Sequence, residues 1–182
     1  ATGRAEGETS DSSTTPPSSA SPGSDPSPPT PHPARWPTAD FIIGNPPFLG
    51  SKLFRKHGLT DDYLTALYNA YDLPNTSDLC CYWFELARRA IEHNPETRAG
   101  LLATQGIRGG DNRTVLERIK ESGDIFMAWS DREWVLEGAA VRVSIIGFAH
   151  ATDGHKRLDG VDVSHINSDL TAGFDLNRAA PL

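Results

Sequence analysis

The residues best suited to chemistry lie in one short loop, Asn45, Pro46, Pro47 and Phe48. The apolar run before it, residues 41 to 43, has the pattern of a strand that is buried on both faces of a parallel sheet. Asn45 and Pro46 each precede a proline, which favours extended backbone, and neither proline offers an N–H. The loop therefore presents carbonyl oxygens, one rigidly held amide side chain and an aromatic ring.

These groups suit the methylation of an exocyclic amine such as N6 of adenine, whose lone pair is delocalised into the ring. The side-chain oxygen of Asn45 and the main-chain oxygen of Pro46 can each accept an N–H and stabilise the positive charge that develops on nitrogen. Phe48 can stack on a base that has left the duplex. The alternative is a plain strand-ending turn, since Asn and Pro are common turn residues. The apolar strand before the loop and the aromatic residue after it favour catalysis.

The loop and four later segments together resemble a known family. The similar segments are residues 43 to 52, 78 to 90, 100 to 110, 112 to 124 and 138 to 148. They are similar to the class I DNA adenine-N6 methyltransferases, in particular to the methyltransferase region of MmeI-like type II restriction-modification enzymes and related phage-defence enzymes. The resemblance covers about residues 34 to 180. Its motif IV would equally suit a protein-glutamine or RNA guanine-N2 methyltransferase, but the later segments favour DNA.

The resemblance implies an activity and a set of site residues. The implied reaction transfers a methyl group from S-adenosyl-L-methionine to N6 of adenine in double-stranded DNA. Asn45, Pro46, Pro47 and Phe48 match motif IV and are the implied catalytic residues. Asn45 and Asp78 are the implied contacts to the methyl donor. For Asp78 the alternative is a simple helix-dipole role at the start of a helix.

The main donor-binding part of this family is not recognisable in the chain. In the family, a glycine-rich loop and an acidic residue upstream of motif IV hold most of the donor. Gly3, Gly7 and Gly23 precede residue 40, but they lie among polar residues with no apolar strand before them. We therefore expect a fragment that lacks its upstream half, leaves one edge of the motif IV strand unpaired, is marginally stable and binds donor weakly or not at all. A non-catalytic fragment that only binds a partner half is the remaining alternative.

The charge balance bears on DNA binding. The net charge is −7, from 17 basic and 24 acidic residues, which argues against a DNA-binding face supplied by this chain alone. In enzymes of this type most phosphate contacts come from a separate recognition domain. Lys52 and Arg108 are the candidate nucleic-acid contacts. Four further basic residues could line the same rim near the candidate active site: Arg35, Arg55, Lys56 and Arg113. Solvated surface charge is the alternative for each of them.

The chain is expected to have three parts. Residues 1 to 38 form a disordered Ser- and Pro-rich tail that cannot bury enough apolar surface to offset its ordering entropy. A linker or a mistranslated upstream stretch fits this tail better than a Pro-rich ligand. Residues 39 to 150 form the methyltransferase catalytic segment. Residues 151 to 182 form an irregular connector toward a missing recognition domain, with a short edge strand expected at 161 to 166.

The expected fold is α/β, a partial Rossmann-like class I methyltransferase sheet from the motif IV strand onward that ends in an antiparallel hairpin. Further strands are expected at residues 99 to 104, 125 to 130 and 141 to 148, with a connection at 131 to 138. Helices are expected at residues 60 to 71, at 78 to 92 and from 112 to 121. Their expected N-caps are Thr60, then Ser77 or Thr76, and then Asp111 or Asn112. The glycines at 106, 109 and 110 suit a tight turn better than a phosphate cradle.

Composition also bears on location and metals. No apolar run approaches the roughly 18 residues of a membrane span, and the N-terminus lacks a secretory signal pattern, so we expect a cytoplasmic protein. The neighbouring Cys80 and Cys81 have poor disulfide geometry and no metal-ligand spacing, and are expected to be reduced helix residues. The six histidines show no partner pattern, so no structural metal is expected.

Overall fold

The computed structural model describes residues 36 to 136, 139 to 152 and 154 to 173. These residues form a six-stranded sheet with three α-helices. The strands are β1 (Phe41–Gly44), β2 (Arg98–Thr104), β3 (Asp124–Leu136), β4 (Ala139–Ala149), β5 (Lys156–Leu158) and β6 (Val161–Val163). The helices are α1 (Asp61–Ala70), α2 (Leu79–His93) and α3 (Thr114–Ser122). Residues 1 to 35, most of the expected tail, lie outside the described residues.

The strand order confirms the predicted α/β sheet with an antiparallel hairpin. The order is β1-β2-β4-β3-β5-β6. β1 and β2 are parallel, and β4 lies between β2 and β3, antiparallel to both. Strands β1, β2 and β3 therefore run in one direction and bring their carboxyl ends to the same edge of the sheet. In open α/β sheets, ligands bind at this edge.

The β3–β4 hairpin is longer than predicted. A connection was expected at residues 131 to 138, but β3 continues to Leu136 and β4 begins at Ala139. Opposite charges meet across the two strands, where Arg142 pairs with Asp131 at 2.6 Å and with Glu133 at 3.6 Å. Such cross-strand charge pairs stabilise the pairing of the two strands. Residues 131 to 138 were predicted to be a connection because many of them are polar. The hairpin therefore extends beyond the carboxyl end of β2, whose last residue pairs with Val143.

Helices α2 and α3 pack on one face of the sheet. Ala99, Leu101 and Ala103 of β2 are buried while the alternating residues are more exposed, so only one face of this strand is fully covered. Phe84 of α2 stacks on Phe148 of β4, with ring centroids 5.8 Å apart. The predicted sheet-facing side of α3, Val115, Leu116 and Ile119, is buried.

The burial of α2 differs from its predicted apolar stripe of Leu79, Trp83, Leu86, Ala87, Ala90 and Ile91. Leu79, Ala87 and Ile91 are buried, but Trp83, Leu86 and Ala90 are only half-buried. A second side of the helix is buried instead, by Cys80, Cys81, Tyr82 and Phe84. Both cysteines are free thiols, as predicted. A helix that packs on its neighbours as well as on the sheet buries more than one stripe, which a single periodic pattern does not reveal.

The first two helices begin close to the predicted positions. Thr60 is the N-cap of α1, and its side chain accepts a hydrogen bond from the main-chain N–H of Tyr63, as predicted. The N-cap of α2 is Asp78, so the prediction of Ser77 or Thr76 is wrong by one or two residues. The reason is that the side chains of Ser77 and Thr76 bond a different loop, near Asp111.

The start of α3 corrects a second predicted cap. This helix begins at Thr114 with Arg113 at the N-cap position, whereas Asp111 or Asn112 was predicted. A 3₁₀ turn, Gly110–Arg113, precedes the helix. Asp111 and Asn112 lie in that turn and bond residues at the start of α2, so neither side chain is available for capping.

The first strand is not buried on both faces. Phe41 is 68% exposed and Ile43 is 84% exposed, which contradicts the predicted two-sided burial. The physical reason is that side chains alternate between the two faces of the strand, and only the face of Ile42 packs on the core in the described part of the chain. β1 is also an edge strand there, paired only with β2. One edge of this strand was predicted to be unpaired, and within the described residues β1 pairs with β2 alone.

The segment after β4 is more regular than predicted. Within the irregular connector expected at residues 151 to 182, strands β5 and β6 form a short hairpin. The predicted edge strand at 161 to 166 is present over Val161–Val163 only. Residues 174 to 182 lie outside the described residues. None of the helices that the structure describes is long and apolar enough to cross a membrane.

Candidate active site

The candidate catalytic loop lies at the carboxyl end of β1. Pairing with β2 ends at Gly44, opposite Leu101, and Asn45 follows. Pro46 is buried, whereas Asn45 is exposed to solvent. Pro47 is exposed and Phe48 is half-buried, so the loop places an amide and a ring at the ligand-binding edge of the sheet. The structure thus places the four predicted residues in one loop, in which Asn45 and Pro47 are exposed, Phe48 is half-buried and Pro46 is buried.

Two hydrogen-bond acceptors of this loop remain available. Among the described residues, no hydrogen bond engages the side chain of Asn45 or the main-chain oxygen of Pro46. The neighbouring oxygen of Pro47 accepts a bond from the N–H of Leu49 at 3.1 Å. The two groups predicted to accept an amine N–H are therefore among the oxygens that have no partner within the described part of the chain.

A cleft of about 440 Å³ lies beside the loop. Its walls include Trp36, Ile42, Asn45, Pro46, Trp83 and Leu101. No charged side chain lines it within the described residues. An apolar cleft with two indole rings and one amide suits a flat, largely apolar group better than an ionic one.

The far end of the loop is tied to the start of α2. The N–H of Leu79 donates to the main-chain oxygen of Leu49 at 2.9 Å. The N–H of Ser51 donates to Oδ1 of Asp78 at 3.2 Å. The hydroxyl of Ser51 donates to the main-chain oxygen of Thr76 at 2.8 Å. The loop is therefore fixed at one end by the β1–β2 ladder and at the other by three hydrogen bonds.

Asp78 in turn is held by Asn112, from the turn that follows β2. The main-chain N–H of Asp78 donates to Oδ1 of Asn112 at 2.7 Å. Nδ2 of Asn112 donates to Oδ2 of Asp78 at 2.8 Å. Both carboxylate oxygens of Asp78 are thus engaged by the protein. Asn112 was predicted as a helix N-cap candidate, but its contact with Asp78, 34 residues away, was not predicted.

The two predicted nucleic-acid contacts lie on different segments of this edge. Lys52 is exposed in the 3₁₀ turn Ser51–Leu53, which follows the candidate catalytic loop. Arg108 is half-buried, and its Nε donates to the main-chain oxygen of Asp169 at 3.0 Å. Lys52 therefore faces solvent, whereas one donor of Arg108 is already used in its hydrogen bond to Asp169.

The other basic residues of the expected rim differ in their contacts. Arg55 pairs with Asp61 at 2.7 Å, and Arg113 pairs with Glu117 at 2.8 Å. Lys56 is exposed. Arg35 lies outside the described residues. Two of the four are thus bound in local ion pairs, which favours the surface-charge alternative for them.

A buried charge cluster lies between α2 and α3. Glu85 is fully buried and accepts hydrogen bonds from Arg88 at 2.8 Å, Arg89 at 2.9 Å and Arg118 at 3.2 Å. Burial acts to raise the pKa of Glu85, but hydrogen bonds from Arg88 and Arg118 outweigh it and hold the pKa below its usual value. Arg118 also bonds Asp72 at 2.9 Å. The cluster joins both helices to the segment after α1.

Over the ranges that the structure describes, no group of three or more His, Cys, Asp or Glu side chains could hold a metal ion. Asp78 and Asp111 are the carboxylates nearest the catalytic loop in the hydrogen-bond network. Asp111 accepts from Thr76, and Asp78 accepts from Ser51 and Asn112.

Comparison with known proteins defines the family. A family model described as MmeI, DNA-methyltransferase domain, matches residues 9–159. Because this match spans most of the chain, the chain belongs to the MmeI DNA-methyltransferase domain family. The predicted resemblance to an MmeI-like methyltransferase region is therefore confirmed. No curated protein matches the chain.

One solved structure agrees with this family. The type IIL restriction-modification enzyme MmeI, solved in complex with DNA, is similar over 75% of this chain, with a TM-score of 0.61 and 25% sequence identity. The similar region is 20% of the MmeI chain, so this chain spans about a fifth of that enzyme. A type I restriction-modification system is 15% identical over 60% of this chain and 21% of that chain, with a TM-score of 0.45, too distant to carry an argument.

Proposed function

We propose that this chain is the catalytic segment of a DNA methyltransferase that transfers a methyl group from S-adenosyl-L-methionine to N6 of adenine. Its setting is a restriction-modification or phage-defence system, and its substrate is double-stranded DNA. The observation that carries the proposal is the accessible loop at the carboxyl end of β1. There, among the described residues, the Asn45 side chain and the main-chain oxygen of Pro46 have no internal hydrogen bond, and they lie beside an apolar cleft.

Each residue of the loop has a role in this proposal. Oδ1 of Asn45 and the main-chain oxygen of Pro46 accept the two N–H groups of the adenine amine. This draws its lone pair out of conjugation and stabilises the positive charge that develops on nitrogen. Pro47 stiffens the loop because its ring fixes φ, and Phe48 stacks on the base. Because the loop is held at both ends, these acceptors are preorganised for the transition state.

The methyl donor fits the described residues only in part. S-adenosyl-L-methionine supplies an electrophilic methyl group when it is bound. The cleft beside Asn45 offers indole and aliphatic walls, but its described lining offers no charged partner for the amino-acid end of the donor. Both carboxylate oxygens of Asp78 already accept hydrogen bonds from the protein. We therefore assign most of the donor site to an upstream methyltransferase half, and Asn45 remains the proposed donor contact of this chain.

The proposal also needs a separate source of DNA affinity. The net charge of −7 opposes phosphate binding by the segment alone. Lys52 is exposed next to the catalytic loop and is the proposed phosphate contact within this chain. Arg108 is a second proposed contact. Its Nε donates to Asp169, so the proposed phosphate contact is through the terminal nitrogens of the guanidinium group. A recognition domain outside this chain supplies the remainder.

The open edge of β1 favours a second candidate function, a non-catalytic fragment that binds a partner half. Phe41 and Ile43 are both well exposed on this strand. Exposed apolar side chains on an unpaired edge are a ready template for another strand. This function predicts partner-dependent folding without methyl transfer. The glutamine and RNA alternatives share the same loop and differ in which substrate is labelled.

The decisive experiment follows a radiolabelled methyl group into an adenine-containing duplex, catalysed by a longer form of the protein or by the chain together with its partner half. We expect Asn45→Ala to lower kcat by about 10² to 10³-fold, the usual loss for one preorganised acceptor. Asn69→Ala is the matched control, since Asn69 is exposed on α1, away from the loop.

Three outcomes would contradict the proposal in different ways. Equal rates for Asn45→Ala and the unmodified protein would remove Asn45 from catalysis. Label in a glutamine peptide or an RNA, with none in duplex DNA, would select the neighbouring class of methyltransferase. Partner-dependent folding with no label in any substrate would establish the fragment function.

A further inference from the structure

The catalytic loop is connected to a second loop through one side chain. Residues 45 to 48 are followed by Ser51, whose N–H is bonded to Oδ1 of Asp78. The other carboxylate oxygen and the main-chain N–H of Asp78 are both bonded to the amide of Asn112. Asp78 and Asn112 are 34 residues apart in the chain, so this contact joins the catalytic loop to the turn after β2.

The orientation of the Asn112 amide is fixed by its partners. Its oxygen faces a main-chain N–H donor, and its nitrogen faces a carboxylate oxygen. The reversed amide would set two donors against each other and two acceptors against each other. The bond from Nδ2 to the carboxylate is charge-assisted, which makes it stronger than a bond between neutral groups. Asn112 is therefore a two-point clamp on Asp78 with a single satisfactory orientation.

Further contacts place this clamp in a network. Oγ1 of Thr76 donates to the carboxylate of Asp111, and the hydroxyl of Ser77 donates to the main-chain oxygen of Asp111 at 3.3 Å. Cys81 approaches Oδ1 of Asn112 at 3.5 Å. Several hydrogen bonds thus join the start of α2 to the turn before α3. The Asp78 carboxylate links both to the catalytic loop, because it also accepts the N–H of Ser51.

We propose that Asp78 and Asn112 form a positioning pair that sets the place of the Asn45 amide relative to the sheet edge. The pair deepens the proposed function, since it rests on residues 45 to 48 being catalytic. Asp78 acts here through its hydrogen bonds and not as a ligand of the methyl donor. This assignment follows from its two carboxylate oxygens, which both accept bonds from the protein.

An exchange of the two side chains tests the pair. In Asn112→Asp, a carboxylate oxygen replaces Nδ2 opposite the Asp78 carboxylate, so attraction becomes repulsion. In the double variant Asp78→Asn/Asn112→Asp, the new amide at position 78 donates to the new carboxylate at position 112. Its oxygen still accepts from Ser51, and the carboxylate at position 112 still accepts the main-chain N–H. The double variant therefore restores every bond of the clamp with the partners exchanged.

The first measurement is amide hydrogen exchange of this chain, which requires no activity. We expect Asn112→Asp to accelerate exchange at Ser51 and Leu79 by about tenfold or more, because the bonds that hold these amides are weakened. Amides in the β2–β4 ladder keep their rates, and the double variant returns Ser51 and Leu79 to near the original rates. Unchanged exchange in the single variant, or no recovery in the double variant, would overturn the pair.

The second measurement is methyl transfer with the longer protein or complex. We expect Asn112→Asp to lower kcat about tenfold or more with little change in KM for DNA, and the double variant to recover most of kcat. If the Asp78 carboxylate instead held the donor, the double variant would stay inactive and its KM for the donor would rise. Failure of the unmodified protein to label DNA would defeat the proposed function alone, since the exchange measurement would still decide the pair.

Discussion

Glu85 is a buried carboxylate in the described part of the chain that three arginines contact. It is fully buried, and its carboxylate accepts bonds from Arg88, Arg89 and Arg118. A buried charge costs free energy through desolvation, and this cost is offset only while its partners remain in place. The residue therefore determines whether α2 and α3 can pack together, although it lies outside the proposed active site.

At this scale we predict that Glu85→Gln lowers the free energy of unfolding by about 3 kcal/mol, because a neutral amide no longer balances the charge of the three guanidinium groups that converge on this buried position, although Arg88 and Arg118 keep Glu92 and Asp72 as partners. Denaturant unfolding followed by circular dichroism measures the change. Asp61→Asn is the matched control, because the Asp61–Arg55 pair is exposed and such pairs contribute less than about 1 kcal/mol. Equal changes in the two variants would contradict a special role for Glu85.

The same residue gives the fold a defined dependence on pH. The pKa of Glu85 is held below its usual value, so its contribution is fully present above the pKa of an unfolded glutamate, about 4.3. The contribution is lost as the pH falls through the lower, folded pKa. We expect unfolding midpoints measured between neutral and acidic pH to fall less steeply in Glu85→Gln than in the unmodified chain. Parallel pH profiles would contradict the assignment.

At the scale of the elements, the junction between α3 and β3 is unusually close. Gly123 follows the last residue of α3, and β3 begins at Asp124. A Cβ atom at Gly123 would lie against the main-chain oxygen of Ala149, well inside contact distance. Because the obstacle is backbone, it cannot move aside as a side chain could. This one position lets the chain turn from the helix into the sheet beside the end of β4.

We predict that Gly123→Ala lowers the free energy of unfolding by about 1 to 3 kcal/mol, the usual cost of overpacking. Gly100→Ala is the control within the same sheet, since a Cβ at Gly100 meets nothing within 4 Å. Its stability should stay within about 0.5 kcal/mol of the unmodified chain. Thermal unfolding of both variants in parallel tests the prediction, and a tolerated Gly123→Ala would show that the strand end can shift.

The elements also show what could be predicted from sequence and what could not. The apolar run of β2 and the Thr60 cap were predicted correctly, because each depends on neighbours in the chain. The caps of α2 and α3 were wrong, since Thr76 and Asp111 bond each other across 35 residues. For the same reason the loop at Asn45 was recognisable while its support by Asn112 was not. The extended hairpin was missed because cross-strand charge pairs replace apolar contacts there.

At the scale of the whole molecule, the sheet has two unequal outer strands. At one side β1 exposes Phe41 and Ile43. At the other side β6 has three residues against the four of β1, and it exposes one large apolar side chain, Val161, rather than two. Short edge strands resist pairing with other chains, and exposed apolar edges invite it. We therefore expect self-association of the chain alone to proceed through β1.

We predict that Ile43→Lys reduces concentration-dependent association, because a charged side chain on an edge strand opposes strand addition. Light scattering coupled to size-exclusion chromatography measures the change across a range of concentrations. Val161→Lys makes the same change at the opposite edge, where Val161 is 64% exposed, and should have a smaller effect. A larger effect at Val161 would move the association surface to β6.

The position of β4 has a consequence for the order in which the molecule can form. β2 and β3 both pair with β4 and not with each other. During synthesis both emerge from the ribosome before β4, so β2 can pair with β1 but neither β2 nor β3 can pair with β4 while the chain ends before residue 139. The β1–β2 pair must wait, with a bare inner edge, for the last of these four strands to be made. Completion of the sheet is thus a late, long-range event, of the kind that slows folding and gives chaperones time to act.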